Sequence, residues 1–300
     1  MSVVVATRDR PELLRRALAS ILACPWEGGV EVVVVFDQSE PDVGLAGERV
    51  RVVSNHRTPG LAGARNTGIL AAAGELVAFC DDDDTWLPSK LELQVPILLD
   101  EPGAELATTG IFVRVSDEAG TSRSTPRVLD GERITLADLL RSRLMEAHPS
   151  TFLLRRSALL DGLGLVDEEL PGSYAEDYDL LLRAARRHPV VAVPVPLSVV
   201  HWHPSSFFFE RWQTMDHALE HLLAKHPEFA DDPIGLARIE GQQALARAGT
   251  GDRAGARAKA LSALRHHWRQ PRAYLGLAAS TGAIGPATVL RVAQVRGKGF

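Results

Sequence analysis

The stretch Leu76-Val77-Ala78-Phe79-Cys80-Asp81-Asp82-Asp83-Asp84 runs an apolar segment straight into four consecutive carboxylates. Two like charges ~4 Å apart repel by about 1 kcal/mol in water and about 4 kcal/mol at an effective dielectric near 20. Such a run is either a solvated loop or a place for a cation. A hard divalent ion suits it, because these ions take carboxylate oxygens together with substrate phosphates. The position fits the second reading, since ligands of open α/β sheets bind beyond the carboxyl ends of the strands.

Outward from this point, short apolar runs alternate with helical patterns. Ser2–Ala6, Val30–Phe36, Val50–Ser54 and Glu75–Cys80 read as strands, and Pro11–Ala23, Leu61–Ala73 and Pro88–Leu99 as helices. Continuous apolar strands separated by helices predict a mostly parallel sheet covered on both faces. Further on, Glu105–Val115 and Ser150–Arg155 read as strands, Ser122–Arg133 as a polar loop and Ala175–Arg187 as a helix with an acidic first turn. Val190–Val200, with prolines at 194 and 196, reads as an edge strand. Helical spacing then recurs over 209–225, 233–248, 252–268 and 271–280.

The chain has 300 residues, 45% apolar and 24% charged, which is ordinary for a globular protein with a sizeable core. The net charge of −5 carries no nucleic-acid signature. Cys24 and Cys80, both in apolar contexts, read as buried free thiols of a reducing compartment. No signal peptide or membrane span is visible, so the expectation is a cytoplasmic protein. The segment after Asp252 is basic and lacks acids; it is either a set of solvated helix faces or a contact for an anionic membrane surface.

Several segments converge on the four aspartates. Thr7-Arg8-Asp9-Arg10-Pro11 closes the first strand and opens a helix, and a helix N-terminus favours anions. Asp37 ends the second strand. Gly60-Leu61-Ala62-Gly63-Ala64-Arg65-Asn66-Thr67-Gly68 is a glycine-spaced helix start in which Arg65 faces either a phosphate or the acidic cluster. Trp86 offers a flat face beyond the acids, and Glu176-Asp177 open the later acidic helix.

The stretch from Gly60 to Glu92 resembles the signature of family 2 glycosyltransferases with the GT-A fold. SVVVATRDRPELLRRALASIL is similar to that family's first strand and helix, and PGSYAEDYDLLLRAAR to its acceptor-side acidic motif. The likeness covers roughly residues 2–205. It implies a Rossmann-like mixed sheet flanked by helices over 1–205, with a nucleotide-sugar half (1–100) and an acceptor half (101–205), and a helical extension over 206–300. It implies a nucleotide-sugar donor, usually a UDP-sugar, bound with Mn²⁺ or Mg²⁺, and a glycan, lipid-linked or small-molecule acceptor, in cell-surface polysaccharide assembly. Carried onto this chain, Thr7, Arg8 and Asp9 line the nucleoside pocket and Asp37 contacts the base. Gly60, Arg65 and Asn66 stand on the donor side. Asp81 lies toward the ribose, Asp83 holds the metal and Asp82 is the most replaceable of the four. Asp177 is the catalytic base, with Glu176 and Trp86 on the acceptor side, and His203, or else His201, meets the metal. One departure is the segment Phe36-Asp37-Gln38-Ser39, which differs from the family's usual acidic pair followed by Gly-Ser.

The chemistry is coherent on its own terms. A departing nucleoside diphosphate needs its charge neutralised, and an acceptor hydroxyl needs a general base on the opposite side. A nucleotidyltransferase of similar architecture would carry a glycine-rich turn after the first strand, where this chain has TRDRP. A non-catalytic nucleotide-sugar-binding protein would lose the acids at 83 and 177, and both are present.

Overall fold

Four short runs rich in apolar residues build one half of a sheet; three are almost wholly buried, where a strand has no polar side to present, and the outermost is half exposed. They are β1 (Ser2–Thr7), β2 (Glu31–Phe36), β3 (Val50–Ser54) and β4 (Leu76–Phe79). All pair in parallel, in the order β3-β2-β1-β4. The chain order reverses between β1 and β4, and that is where such sheets bind ligands. The sheet continues through β9 (Leu153–Arg155), antiparallel to both β4 and β6 (Leu106–Ser116), to β10 (Val190–Trp202) and the two-residue β5 (Thr85–Trp86). Two further strands, β7 (Ser122–Arg127) and β8 (Arg133–Ile134), pair with β6 and β10. Helices α1 (Pro11–Leu22), α2 (Leu61–Ala71), α3 (Lys90–Leu99), α5 (Arg156–Asp161) and α6 (Glu176–Arg187) pack on this sheet, and α4 (Leu136–Arg141) follows β8.

This computed structural model describes residues 1–116, 122–202, 211–282, 285 and 288. The chain divides into two units, one formed by Met1–Leu136, Leu144–Glu168 and Glu176–Trp202, the other by Ala137–Arg143, Glu169–Ala175 and His203–Phe300. The first holds the sheet. The second is helical, with α7 (Trp212–Lys225), α8 (Pro233–Thr250), α9 (Arg253–His266) and α10 (Pro271–Thr281). Its helices approach closely through small residues: a Cβ on Gly276 would lie 2.6 Å from that of Ala244, and Ala237, Ala263 and Ala273 share a core. No described helix is long and apolar enough to cross a membrane.

Three expectations change. The polar segment 122–133 is not all loop: 122–127 form β7, whose side chains are mostly exposed and whose order comes from backbone pairing with β6. The strand expected over Ser150–Arg155 is shorter, because Pro149–Thr151 make a 3₁₀ turn that buries Ser150 and Thr151. And β10 is not a free edge. It pairs with β6 along its length and with β8 and β5 on the other side, its prolines being absorbed by register shifts between Val193 and Ser198.

α2 lies tightly against β1. A Cβ on Gly68 would sit 2.2 Å from Val4 Cγ1, and one on Gly63 would sit 1.9 Å from the Thr58 carbonyl oxygen. The loop before α2 is fastened by Glu168, whose carboxylate accepts from Arg57 Nε at 2.5 Å, Asn66 Nδ2 at 2.7 Å and the Thr58 amide at 3.3 Å. Burial pushes this carboxyl up, but the hydrogen bonds from Asn66, Arg57 and Thr58 outweigh it and bring it from 4.5 to about 2. The unfolded chain therefore binds the proton more readily. The stabilisation is complete above pH 4.5 and is lost as pH falls toward about 2. Glu168→Gln should accordingly be less stable than the parent at neutral pH, and the gap in urea midpoint should close as the solution is acidified through that window.

Candidate active site

The ends of β1 and β4 meet through side chains. Thr7 Oγ1 donates to Asp82 Oδ2 at 2.7 Å, and Arg10 Nη1, from the N-cap position of α1, bridges Asp82 Oδ1 at 3.2 Å and Asp83 Oδ2 at 3.1 Å. Arg16 on α1 donates to the Asp83 carbonyl at 2.9 Å. Asp82 is thus buried and doubly hydrogen-bonded. It fastens the acid loop to β1. Burial pushes its carboxyl up, against the pull of Thr7 and Arg10. Asp83 is pushed up to about 6 by burial and by the charges of Asp81 and Asp82.

Arg65 holds the other side. It projects from the first turns of α2 and is buried, with Nη2 on Asp81 Oδ1 at 2.7 Å and Nη1 on Glu176 Oε1. Of its two expected partners, the structure shows the acidic cluster. Burial would favour loss of its proton, but Asp81, Glu176 and Asp177 together hold it more firmly charged than usual. Glu176 itself rises to about 7, through burial and the neighbouring charge of Asp177, with Arg65 opposing. Asp177 is buried in the first turn of α6.

Asp84 turns inward. Its carboxylate accepts from Ser150 Oγ at 2.6 Å and from the His201 amide at 3.1 Å, and His148 Nδ1 lies 3.5 Å away. Burial first, then Asp83 and Asp81, push it well above the usual carboxylate range. Ligand atoms of Asp81, Asp84 and His148 lie within 4.8 Å of one another. Two carboxylates and an imidazole form a donor set that fits a divalent cation. Sequence reasoning missed His148 and Ser150. They arrive from a turn 66 positions away from Asp84 for Ser150, and no spacing marks them. His201 touches the cluster through its main chain, and His203 lies outside the described residues.

Other expected residues sit elsewhere. Asp37 is occupied by the chain itself: Asn55 Nδ2 donates to Oδ1 at 2.7 Å, and the Gly60 amide and Gln38 Nε2 donate to Oδ2 at 3.1 and 3.0 Å. Gly60, at φ 119, spends its amide there while starting α2. Asn66 presents nothing to a ligand, because its amide group donates to Val166 O and Glu168 and accepts from the Val166 amide. Trp86 offers no open face; it is 3% exposed, its indole donates to Ser150 O at 2.8 Å, and Lys90 Nζ stands 4.4 Å from its ring centre. Arg8 and Asp9 are exposed, Asp9 at φ 53. Asp9, Thr7, Arg10, Phe36, Ser39 and Asp42 are among the residues that line a cleft of about 180 Å³ beyond β1 and β2. Beneath the acids, Cys80 is buried with Sγ 3.5 Å from the Asp81 carbonyl, and burial with the charges of Asp84 and Asp81 raises its thiol well above normal.

Comparison with known proteins bears on the fold and the family. The Escherichia coli UDP-Glc:alpha-D-GlcNAc-diphosphoundecaprenol beta-1,3-glucosyltransferase WfgD is 28% identical over 104 residues, 33% of this chain and 41% of that protein. The chain therefore spans less than half of that relative's length. S. aureus TarS 1–349, solved in complex with UDP-GlcNAc, superposes with a TM-score of 0.62 at 16% identity, over 100% of this chain and 92% of that one. Mannosyltransferase PcManGT from Pyrobaculum calidifontis, in complex with GDP-Man and Mn²⁺, does so with 0.59 at 18%, over 98% and 83%. These neighbours share the GT-A fold. The sequence model of Glycosyl transferase family 2 matches residues 2–163, and the chain belongs to that family of glycosyltransferases.

Proposed function

We propose that this protein is a metal-dependent, inverting glycosyltransferase that moves a sugar from a UDP-sugar to an acceptor hydroxyl in cell-surface glycan or glycolipid synthesis. One observation carries the reading: a buried arginine spans the gap between the acid loop at the sheet's reversal point and the acidic first turn of α6. Such a pair of acidic sites is what a reaction with a departing diphosphate on one side and a proton to remove on the other requires.

In this reading the cleft beyond β1 and β2 takes the nucleoside, with Thr7 and Asp9 on its wall. The diphosphate lies over the acid loop. Asp81 and Asp83 would hold the cation, with Asp84 and His148 as the further donors the structure adds, and when bound it supplies charge neutralisation for the leaving group. Arg65 keeps Asp81 and Glu176 in place. Asp177 takes the proton of the acceptor hydroxyl as that oxygen attacks the anomeric carbon from the face opposite the diphosphate, which inverts the configuration. No protein nucleophile enters. The UDP preference is supported by the ligand of the TarS neighbour, the metal by the Mn²⁺ of the mannosyltransferase, and the glycolipid setting by the name of the E. coli relative. Residues 1–205 would be the catalytic domain and 206–300 an extension to it.

Thermal-shift titration with UDP and GDP, with and without Mn²⁺, tests the donor side. Stabilisation by a nucleoside diphosphate only when Mn²⁺ is present is expected, and no stabilisation by either would refute the proposal. Asp83→Asn should abolish the metal-dependent shift. Asp177→Asn should keep it while kcat falls by about 10²–10⁴; near-normal turnover would remove Asp177 from the role of base. Arg65→Met should lower stability by about 3–5 kcal/mol in urea, because Asp81 and Glu176 lose their shared counter-charge.

A further inference from the structure

The charge of the chain is unevenly spread. From Arg253 to Phe300 it carries nine of its 33 Lys and Arg and none of its 38 Asp and Glu, within an overall charge of −5. On the described part of this segment the basic residues are ordered by helix geometry. Arg257, Leu261 and Arg265 follow at intervals of four along α9, and all are exposed. The turn into α10 adds Trp268, 64% exposed, with the Arg269 guanidinium 4.7 Å from its ring centre. Tyr274, 50% exposed, donates its hydroxyl to the Trp268 carbonyl at 2.7 Å and so fixes the turn. Among the described residues no carboxylate pairs with Arg257, Arg265 or Arg269. The nearby acid Glu240 is buried and faces Ser262 and His266 instead.

We propose that this face of α9 and the α9–α10 turn docks on an anionic lipid surface, with Trp268 at headgroup depth. An exposed tryptophan covered by an arginine is a poor fit for water but suits the interface, where tryptophan and tyrosine concentrate and arginine keeps its charge at the phosphates. The feature is an exposed turn with a charged stripe beside it. A flat anionic sheet complements it better than a peptide, which would need a groove. No described helix can span a bilayer, so the contact is peripheral. Each arginine near an anionic surface strengthens binding about fivefold, and three give roughly a hundredfold, lost with salt. The inference stands apart from the donor chemistry and does not depend on it.

Co-sedimentation of the full chain with vesicles of phosphatidylcholine alone, and with 30 mol% phosphatidylglycerol, tests it. Binding to the anionic vesicles only, reversed at high salt and weakened about a hundredfold in Arg257→Glu/Arg265→Glu/Arg269→Glu, is the expected result. Brominated lipid should quench the parent's tryptophan fluorescence and quench Trp268→Phe much less. Equal thermal midpoints for parent and variants establish that both are folded. Absence of binding, equal binding to neutral vesicles, or undiminished binding by the triple variant would each overturn the proposal. So would binding to soluble polyphosphate as strong as to vesicles with no quenching of Trp268, which would mark a general polyanion contact.

Discussion

A single buried guanidinium sets the terms for the sheet-bearing unit of this protein. Arg65 enters from α2, which glycines allow to lie against β1, and pairs at once with the acid loop after β4 and the acidic turn of α6. Removing two carboxylates from water costs several kcal/mol each unless a partner compensates. The arrangement is therefore conditional: the acids stay in place because the arginine does, and the buried charge of the arginine is tolerated because the acids surround it. The ring of Phe79, 5.4 Å below the guanidinium, closes the space beneath it.

The acid loop shows how four identical side chains acquire different chemistry. Asp81 has Arg65, Asp82 has Thr7 and Arg10, and Asp83 shares Arg10 while remaining partly open. Asp84 has a hydroxyl, an amide and a nearby imidazole, and burial with the charges of Asp83 and Asp81 pushes it well above the usual carboxylate range. Burial alternates along the run: Asp81 and Asp83 are partly open, Asp82 and Asp84 buried. A cation arriving at the open side would change the balance for all four, because each titrates in the field of the others.

The elements of the sheet were legible because strands buried on both faces read as unbroken apolar runs, and the helices because their apolar spacing is periodic. β7 was hidden by the opposite circumstance: its residues are polar and exposed, and only its backbone has a partner. Within the site, local spacing exposed the acids and Arg65 but could not say where Asn66 pointed. A helix-start asparagine looks the same whether it meets a ligand or, as here, a loop 100 positions onward. Trp86 likewise has one appearance for a stacking wall and for a buried anchor. His148 and Ser150 were invisible because their value comes only from folding against Asp84.

One consequence follows from the sulfur beneath the acids. Thiols react with oxidants and electrophiles as thiolates, and Cys80 is kept protonated by its burial and by the carboxylates that follow it in the chain. Burial first, and then the negative charges crowded into the acid loop, lower the reactivity of the cysteine beneath it. A peroxide or an alkylating agent meets there a buried sulfur with little thiolate character.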